Sequence, residues 1–172
     1  GPDGHGVMDV SNGTLGHVRL AILDVEGGHQ PMSYQDTSIV FNGEIYNYRE
    51  LQQKYLPDQP LKTHSDTEVL IHLYRRLGPE FVRLLDGMFA FVIHHKGEFL
   101  MARDPLGIKP LYYGSSPDGQ HFYFASELKA LRGCVQDIHE FPAGYWHHSE
   151  QGWHRYYNIH ETIQPFDGTE AD

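Results

Sequence analysis

Residues 88–94, MFAFVIH, constrain the fold more than any other stretch of the chain. Read as a strand, they put Phe89, Phe91 and Ile93 on one face and Met88, Ala90 and Val92 on the other. A strand apolar on both faces has to be covered on both sides. EFLMAR (98–103) follows across His95-Lys96-Gly97, so the pair reads as a hairpin inside a layered structure. Further strands are expected at 15–24, 38–41, 44–46, 109–114, 121–125, 143–148 and 153–157. Helices are expected at 48–56, 66–77, 79–85 and 126–131. For 66–77 the signals are an S-x-x-E capping box (Ser65, Glu68), an apolar face of Val69, Leu70, Leu73, Tyr74 and Leu77, and a Gly78-Pro79 stop. Hairpin-linked strands with helices in separate segments predict an α+β class built on mainly antiparallel sheets with helical layers.

Residues 1–13 are turn-rich and read as irregular. The stretch after about residue 160 is acidic and aperiodic and reads as a linker or tail. With 172 residues, 40% of them apolar, one domain with a real core is expected. No apolar run reaches membrane-spanning length. A net charge of −10 repels phosphate backbones, so nucleic acid is an unfavoured partner. A single cysteine, Cys134, excludes an internal disulfide and a Cys-based zinc site and fits a reducing cytoplasm. It is expected to be an ordinary buried or partly buried thiol. The 13 histidines suggest metal, but the adjacent pairs His94-His95 and His147-His148 point to opposite strand faces, and no H-E-x-x-H is present. No metal site is expected, and no phosphate-cradling glycine fingerprint is present. Arg103-Asp104-Pro105-Leu106-Gly107 reads as a turn.

Three features carry polar chemistry at element ends: Arg19 in LGHVRLAI, Asn42-Gly43-Glu44 after a strand, and Asp66 at a helix start. A free amino acid needs a guanidinium for its carboxylate and a carboxylate for its ammonium. An attacked amide needs preorganised donors, such as a side-chain amide with a backbone N–H. Each feature also has a plainer reading. Arg19 can be a structural ion-pair partner, Asn42-Gly43 a type I′ turn, Glu44 a solvated neighbour, and Asp66 a complement to the helix dipole.

The run GPDG (1–4), LGHVRLAILD (15–24), GGHQPM (27–32), FNGEIYNYREL (41–51), SDTEVLIHLY (65–74), GMFAF (87–91), RDPLGIKPLYY (103–113) and ASELKAL (125–131), with FPAG at 141–144, resembles the glutaminase domain of glutamine-dependent asparagine synthetases. The resemblance covers nearly all of residues 1–157. It implies an N-terminal-nucleophile hydrolase fold, a four-layer αββα sandwich of two mainly antiparallel sheets, over a domain 1–159, with 160–172 leading toward a synthetase domain. It implies hydrolysis of glutamine to glutamate and ammonia for ATP-dependent amidation of aspartate. Arg19 would hold the α-carboxylate and Asp66 the α-ammonium. The Asn42 side chain and the Gly43 N–H would form the oxyanion hole. Glu44 would orient the substrate, and backbone near Leu20 and Ile22 would line the pocket. No cofactor is expected in this domain; ATP and Mg would belong to the synthetase domain. Implied partners are glutamine, that domain and, in assembly, a homodimer.

The resemblance also implies an N-terminal Cys nucleophile whose own amine is the base. The chain begins at the GPDG match, so the opening strand and helix are expected to be missing, and Cys134 lies at the wrong place to substitute. These residues alone are therefore expected to be inactive. The parent is expected to be either an active enzyme or a short binding or scaffolding module that lost the chemistry. A missing strand would leave an exposed edge, which favours the first.

Overall fold

The computed structural model describes residues 4–19, 28–158 and 161. A six-stranded antiparallel sheet organises it, in the order β11 (Gly152–Arg155), β10 (Tyr145–His148), β6 (Glu98–Arg103), β5 (Gly87–His95), β4 (Thr37–Ile45), β3 (Met32–Tyr34). A smaller sheet has the order β8 (Phe122–Ala125), β7 (Tyr112–Ser115), β9 (His139–Glu140), and β1 (Gly4–Val10) pairs with β2 (Gly13–Arg19) as a ribbon. Every strand pairing among the described residues is antiparallel.

The doubly apolar strand does what its sequence demands. Phe89, Phe91 and Ile93 join a core with Ile39, Phe41 and Ile45 of β4, covered by α1 (Tyr48–Tyr55), α2 (Asp66–Leu77) and the 3-10 turn Pro79–Leu84. Ala90 and Val92 face a second core with Val40, Met101, Leu111 and Phe141, between the two sheets. The architecture is thus an α+β sandwich of stacked antiparallel sheets with helices over the larger one. At the smaller sheet the helical contribution among the described residues is the single turn α3 (Leu128–Leu131), which contacts β7 and β8. No helix among the described residues is long and apolar enough to cross a membrane.

Several expectations are corrected. Residues 4–10, read as irregular, form β1, because β2 pairs with them from Gly4↔Arg19 to Val10↔Gly13. Asn42-Gly43 is not a turn: β4 runs unbroken from Thr37 to Ile45, in register with β5 from Thr37↔His95 to Ile45↔Gly87. A nine-residue partner strand overrides the local Asn-Gly preference. The capping box is half right. The Ser65 hydroxyl accepts from Thr67 N–H at 3.2 Å. Glu68 instead turns to the preceding loop, accepting from Lys62 N–H (2.9 Å), Thr63 N–H (2.7 Å) and the Thr63 hydroxyl (2.7 Å). That loop has more donors to satisfy than Ser65, whose N–H is already met by Thr63 Oγ1 at 3.2 Å. Cys134 is exposed rather than buried, since of the α3 residues only Leu131 is buried and the chain then turns outward.

The Arg103–Gly107 segment is a turn, but one held by charge. Asp104, fully buried, accepts from the N–H groups of Phe89, Leu106, Ile108 and Lys109. Arg103 donates to the carbonyls of Gly107, Lys109 and Phe141 and to the Glu140 carboxylate. This knot carries the chain from β6 to β7 and sets Lys109 and Leu111 against the space between the sheets. The paired histidines diverge as strand geometry requires: His94 meets Ser11 and Asn12, while His95 meets Thr37.

Candidate functional site

The site follows from one unpaired stretch of strand. β3 pairs with β4 only as far as Ile39, so residues 41–45 of β4 have no strand beyond them among the described residues. On the β5 side, Phe89 commits both backbone groups to Asp104: its C=O accepts from Asp104 N–H at 2.8 Å and its N–H donates to the carboxylate at 3.2 Å. Phe89 is the register partner of Gly43. Gly43 therefore belongs to a pair that exchanges no hydrogen bonds, and its N–H and C=O point to the open edge. Its neighbours of the same parity confirm the direction. Phe41 N–H meets the Gln30 side chain at 2.6 Å, and Ile45 N–H meets the Asp66 carboxylate at 3.0 Å. No side chain among the described residues accepts from Gly43 N–H.

The alternation of β4 places the other groups. Phe41 and Ile45 face the helix-side core, and Val40 faces the space between the sheets. Asn42 and Glu44 share the Val40 face. A cleft of about 900 Å³ opens there, lined by Asn42, Gly43, Glu44 and Asp66, with Gln30 and Lys109 among its other walls. That volume suits a small-molecule ligand. The Asn42 carboxamide meets no hydrogen-bonding partner among the described residues. An in-plane N–H from Gly43 and a carboxamide from the adjacent residue thus belong to the wall of one cleft, and both are donor types that a developing oxyanion can use.

Asp66 is buried at the first turn of α2. Burial pushes its carboxyl above the usual carboxylate range, and the Glu44 charge adds to this; hydrogen bonds from Ile45 and Thr67 N–H and from Ser65 oppose it. The sign has consequences. In the folded state ionised Asp66 costs stability, which is regained as pH falls through its raised pKa. A cationic ligand group favours the ionised form, so its affinity should fall with decreasing pH through a window above about 3.9. Calorimetry with a ligand that carries an ammonium group, in two buffers of different ionisation enthalpy, should detect a proton released on binding in that window.

The backbone of Arg19 ends β2 opposite Gly4, and its side chain lies outside the described residues. Leu20 and Ile22 also lie outside them. The structure therefore brings together Asn42, Gly43, Glu44 and Asp66 of the expected set. It adds Gln30 and His17, both bonded to the Phe41 carbonyl. Gln30 sits in GGHQPM and His17 in LGHVRLAI, but nothing local marks either for this contact, since their partner is a backbone group 11 and 24 residues away. Cys134 does not line the cleft. Among the described residues no group of three or more His, Cys, Asp or Glu is placed to hold a metal ion.

The chain is similar to known proteins over most of its length. A sequence model described as a glutamine amidotransferase domain matches residues 1–160. A probable asparagine synthetase (glutamine-hydrolyzing) of Dictyostelium discoideum is 42% identical over 164 residues, covering 91% of this chain and 29% of the relative. Asparagine synthetase B (glutamine-hydrolyzing) of Escherichia coli is 45% identical over 161 residues, covering 91% and 29%. The chain thus spans under a third of the length of these relatives. Among solved structures, a glutamine phosphoribosylpyrophosphate amidotransferase from B. subtilis, complexed with ADP and GMP, superposes with a TM-score of 0.70 at 28% identity, covering 84% of this chain and 35% of that one.

Proposed function

The chain belongs to the glutamine amidotransferase domain family, and from that premise we propose that its cleft binds the substrate L-glutamine and stabilises the oxyanion formed when the side-chain amide is attacked. The observation that carries the reading is the open β4 edge, where Asn42 and Gly43 line one cleft with buried Asp66. Asp66 holds the α-ammonium and Arg19 the α-carboxylate, through charge-assisted hydrogen bonds. Glu44 orients the substrate, and the backbone near Leu20 and Ile22 completes the pocket. In the reaction a base takes the proton of a thiol as its sulfur adds to the amide carbon, and the carbonyl oxygen takes up the negative charge at Asn42 and Gly43. The same proton passes to the amide nitrogen, so that ammonia leaves as the C–N bond breaks and the thioester remains.

Cys134 is not that thiol. It is exposed and outside the cleft, and it is the only cysteine of the 172 residues. On their own these residues hold glutamine without hydrolysing it. Within a longer polypeptide, residues 1–159 act as the glutaminase domain of an asparagine synthetase, and 160–172 lead toward the domain that uses ATP and Mg to amidate aspartate. The similarity to glutamine-hydrolysing asparagine synthetases over 91% of the chain supports this assignment. A cytoplasmic setting follows from the same reading.

The test is calorimetry of glutamine on the natural polypeptide that carries this sequence. Arg19→Ala and Asp66→Ala should each weaken binding by roughly 10- to 100-fold, the loss of a hydrogen bond to a charged group. Unchanged affinity in both variants would show the reading to be wrong. Ammonia release by the 172 residues alone, abolished by Cys134→Ser, would equally contradict it.

A further inference from the structure

We propose that Gln30 is a positioning residue for the Gly43 donor, an inference that rests on the glutamine reading above. The Gln30 carboxamide replaces the missing neighbour strand at one point of β4. Its Oε1 accepts from Phe41 N–H at 2.6 Å, and its Nε2 donates to the Phe41 carbonyl at 3.0 Å. A His17 ring nitrogen meets the same oxygen at 3.1 Å. Two residues beyond Gly43, the Asp66 carboxylate takes Ile45 N–H. Both flanks of Gly43 are thus pinned by side chains, where a regular sheet would use a strand.

This matters because glycine is the residue whose peptide swings most easily. Gly43 has φ +153°, and the direction of its N–H depends on its neighbours staying extended. The pin also sets the register of recognition. Phe41 presents an N–H and C=O pair of the same parity as Gly43, and Gln30 shows that a carboxamide docks on it through two hydrogen bonds. By occupying that position, Gln30 leaves Gly43 as the place where a substrate amide meets the edge. Gln30 is itself held from outside: a Cβ on Gly6 would lie 2.2 Å from the Gln30 carbonyl oxygen, so β1 passes directly against it.

The test uses the full-length natural protein, with either glutamine or free ammonia as nitrogen donor. Gln30→Ala should lower the glutamine-dependent kcat by about 10- to 100-fold, because a misaimed donor costs transition-state stabilisation. KM for glutamine should change less than about threefold, and the ammonia-supported rate should stay at the unsubstituted level. Gln30→Glu keeps an acceptor for Phe41 N–H but sets a carboxylate oxygen against the Phe41 carbonyl, so it should lose kcat in the same direction. A glutamine kcat within about twofold of the unsubstituted protein in Gln30→Ala overturns the proposal, as does an equal loss with both nitrogen donors, which marks a purely structural role. If the unsubstituted protein turns over ammonia but not glutamine, the glutamine reading itself falls and the proposal with it. That result is told apart because it appears before any substitution is made.

Discussion

Asn42→Ala is expected to lower kcat for glutamine hydrolysis by ~10²–10³ in the full-length protein, with KM changed less than about threefold. The carboxamide of Asn42 lies on the cleft face of β4 and is not engaged by any described residue, so its removal takes nothing from the fold that the structure shows. Its partner donor, Gly43 N–H, remains. If Asp66 and Arg19 hold the substrate at its α-groups as proposed, KM should stay nearly constant while the charged transition state loses one of two donors. Steady-state kinetics decide the matter. A variant that raises KM and leaves kcat intact would place Asn42 in ground-state binding and remove it from the oxyanion hole.

The second large effect falls on the adjacent residue and on stability. Gly43→Ala should destabilise the protein by about 3 kcal/mol or more, at the upper end of overpacking costs. A Cβ at this position would lie 2.1 Å from the Met88 carbonyl oxygen and 2.8 Å from the Phe89 Cα. Both obstacles are backbone in the central strand of the sheet, so neither can rotate away. The φ of +153° adds a conformational penalty for any L-residue. Denaturant unfolding of Gly43→Ala against the unsubstituted protein checks this, with Gly119→Ala as a reference, since nothing lies within 4 Å of a Cβ there. That reference still carries the cost of a positive φ (+70°), so a larger loss at Gly43 isolates the backbone collision.

Much of the fold was legible because its signals are local or periodic. The faces of Phe89–Phe91–Ile93 and Ala90–Val92 were readable from alternation alone, and both are covered. Helix α2 lies at Asp66–Leu77 as its cap, apolar face and Gly78 stop require. Residues 4–10 were not legible, because a ribbon strand with glycines at 4 and 6 shows no apolar run and exists through its register with β2. The short β3 and β9 were missed for the same reason: each is defined by its partner strand rather than by its own residues. Within the site, the residue types in Asn42-Gly43-Glu44 and Asp66 suggested the chemistry, while the hairpin turn suggested by the same Asn-Gly pair is absent from the structure.

The sequence alone determined which strands must be buried on both faces, where the long helix begins and ends, and which polar residues are available for an amino-acid substrate. Those are consequences of side-chain period and capping, which need no distant partner. Only the tertiary structure decided that Asn42-Gly43 lies within a strand, that its outer edge is left open beyond Ile39, and that Gln30 and Asp66 take the Phe41 and Ile45 N–H groups on either side of Gly43. Strand continuity depends on β5 in register across the sheet, and the direction of the Gly43 N–H depends on which backbone groups Phe89 has already given to Asp104. Most buried backbone groups find partners. In β4 those partners reach Phe41 and Ile45 only when segments far apart in the chain are brought together, and Gly43 N–H is left open between them.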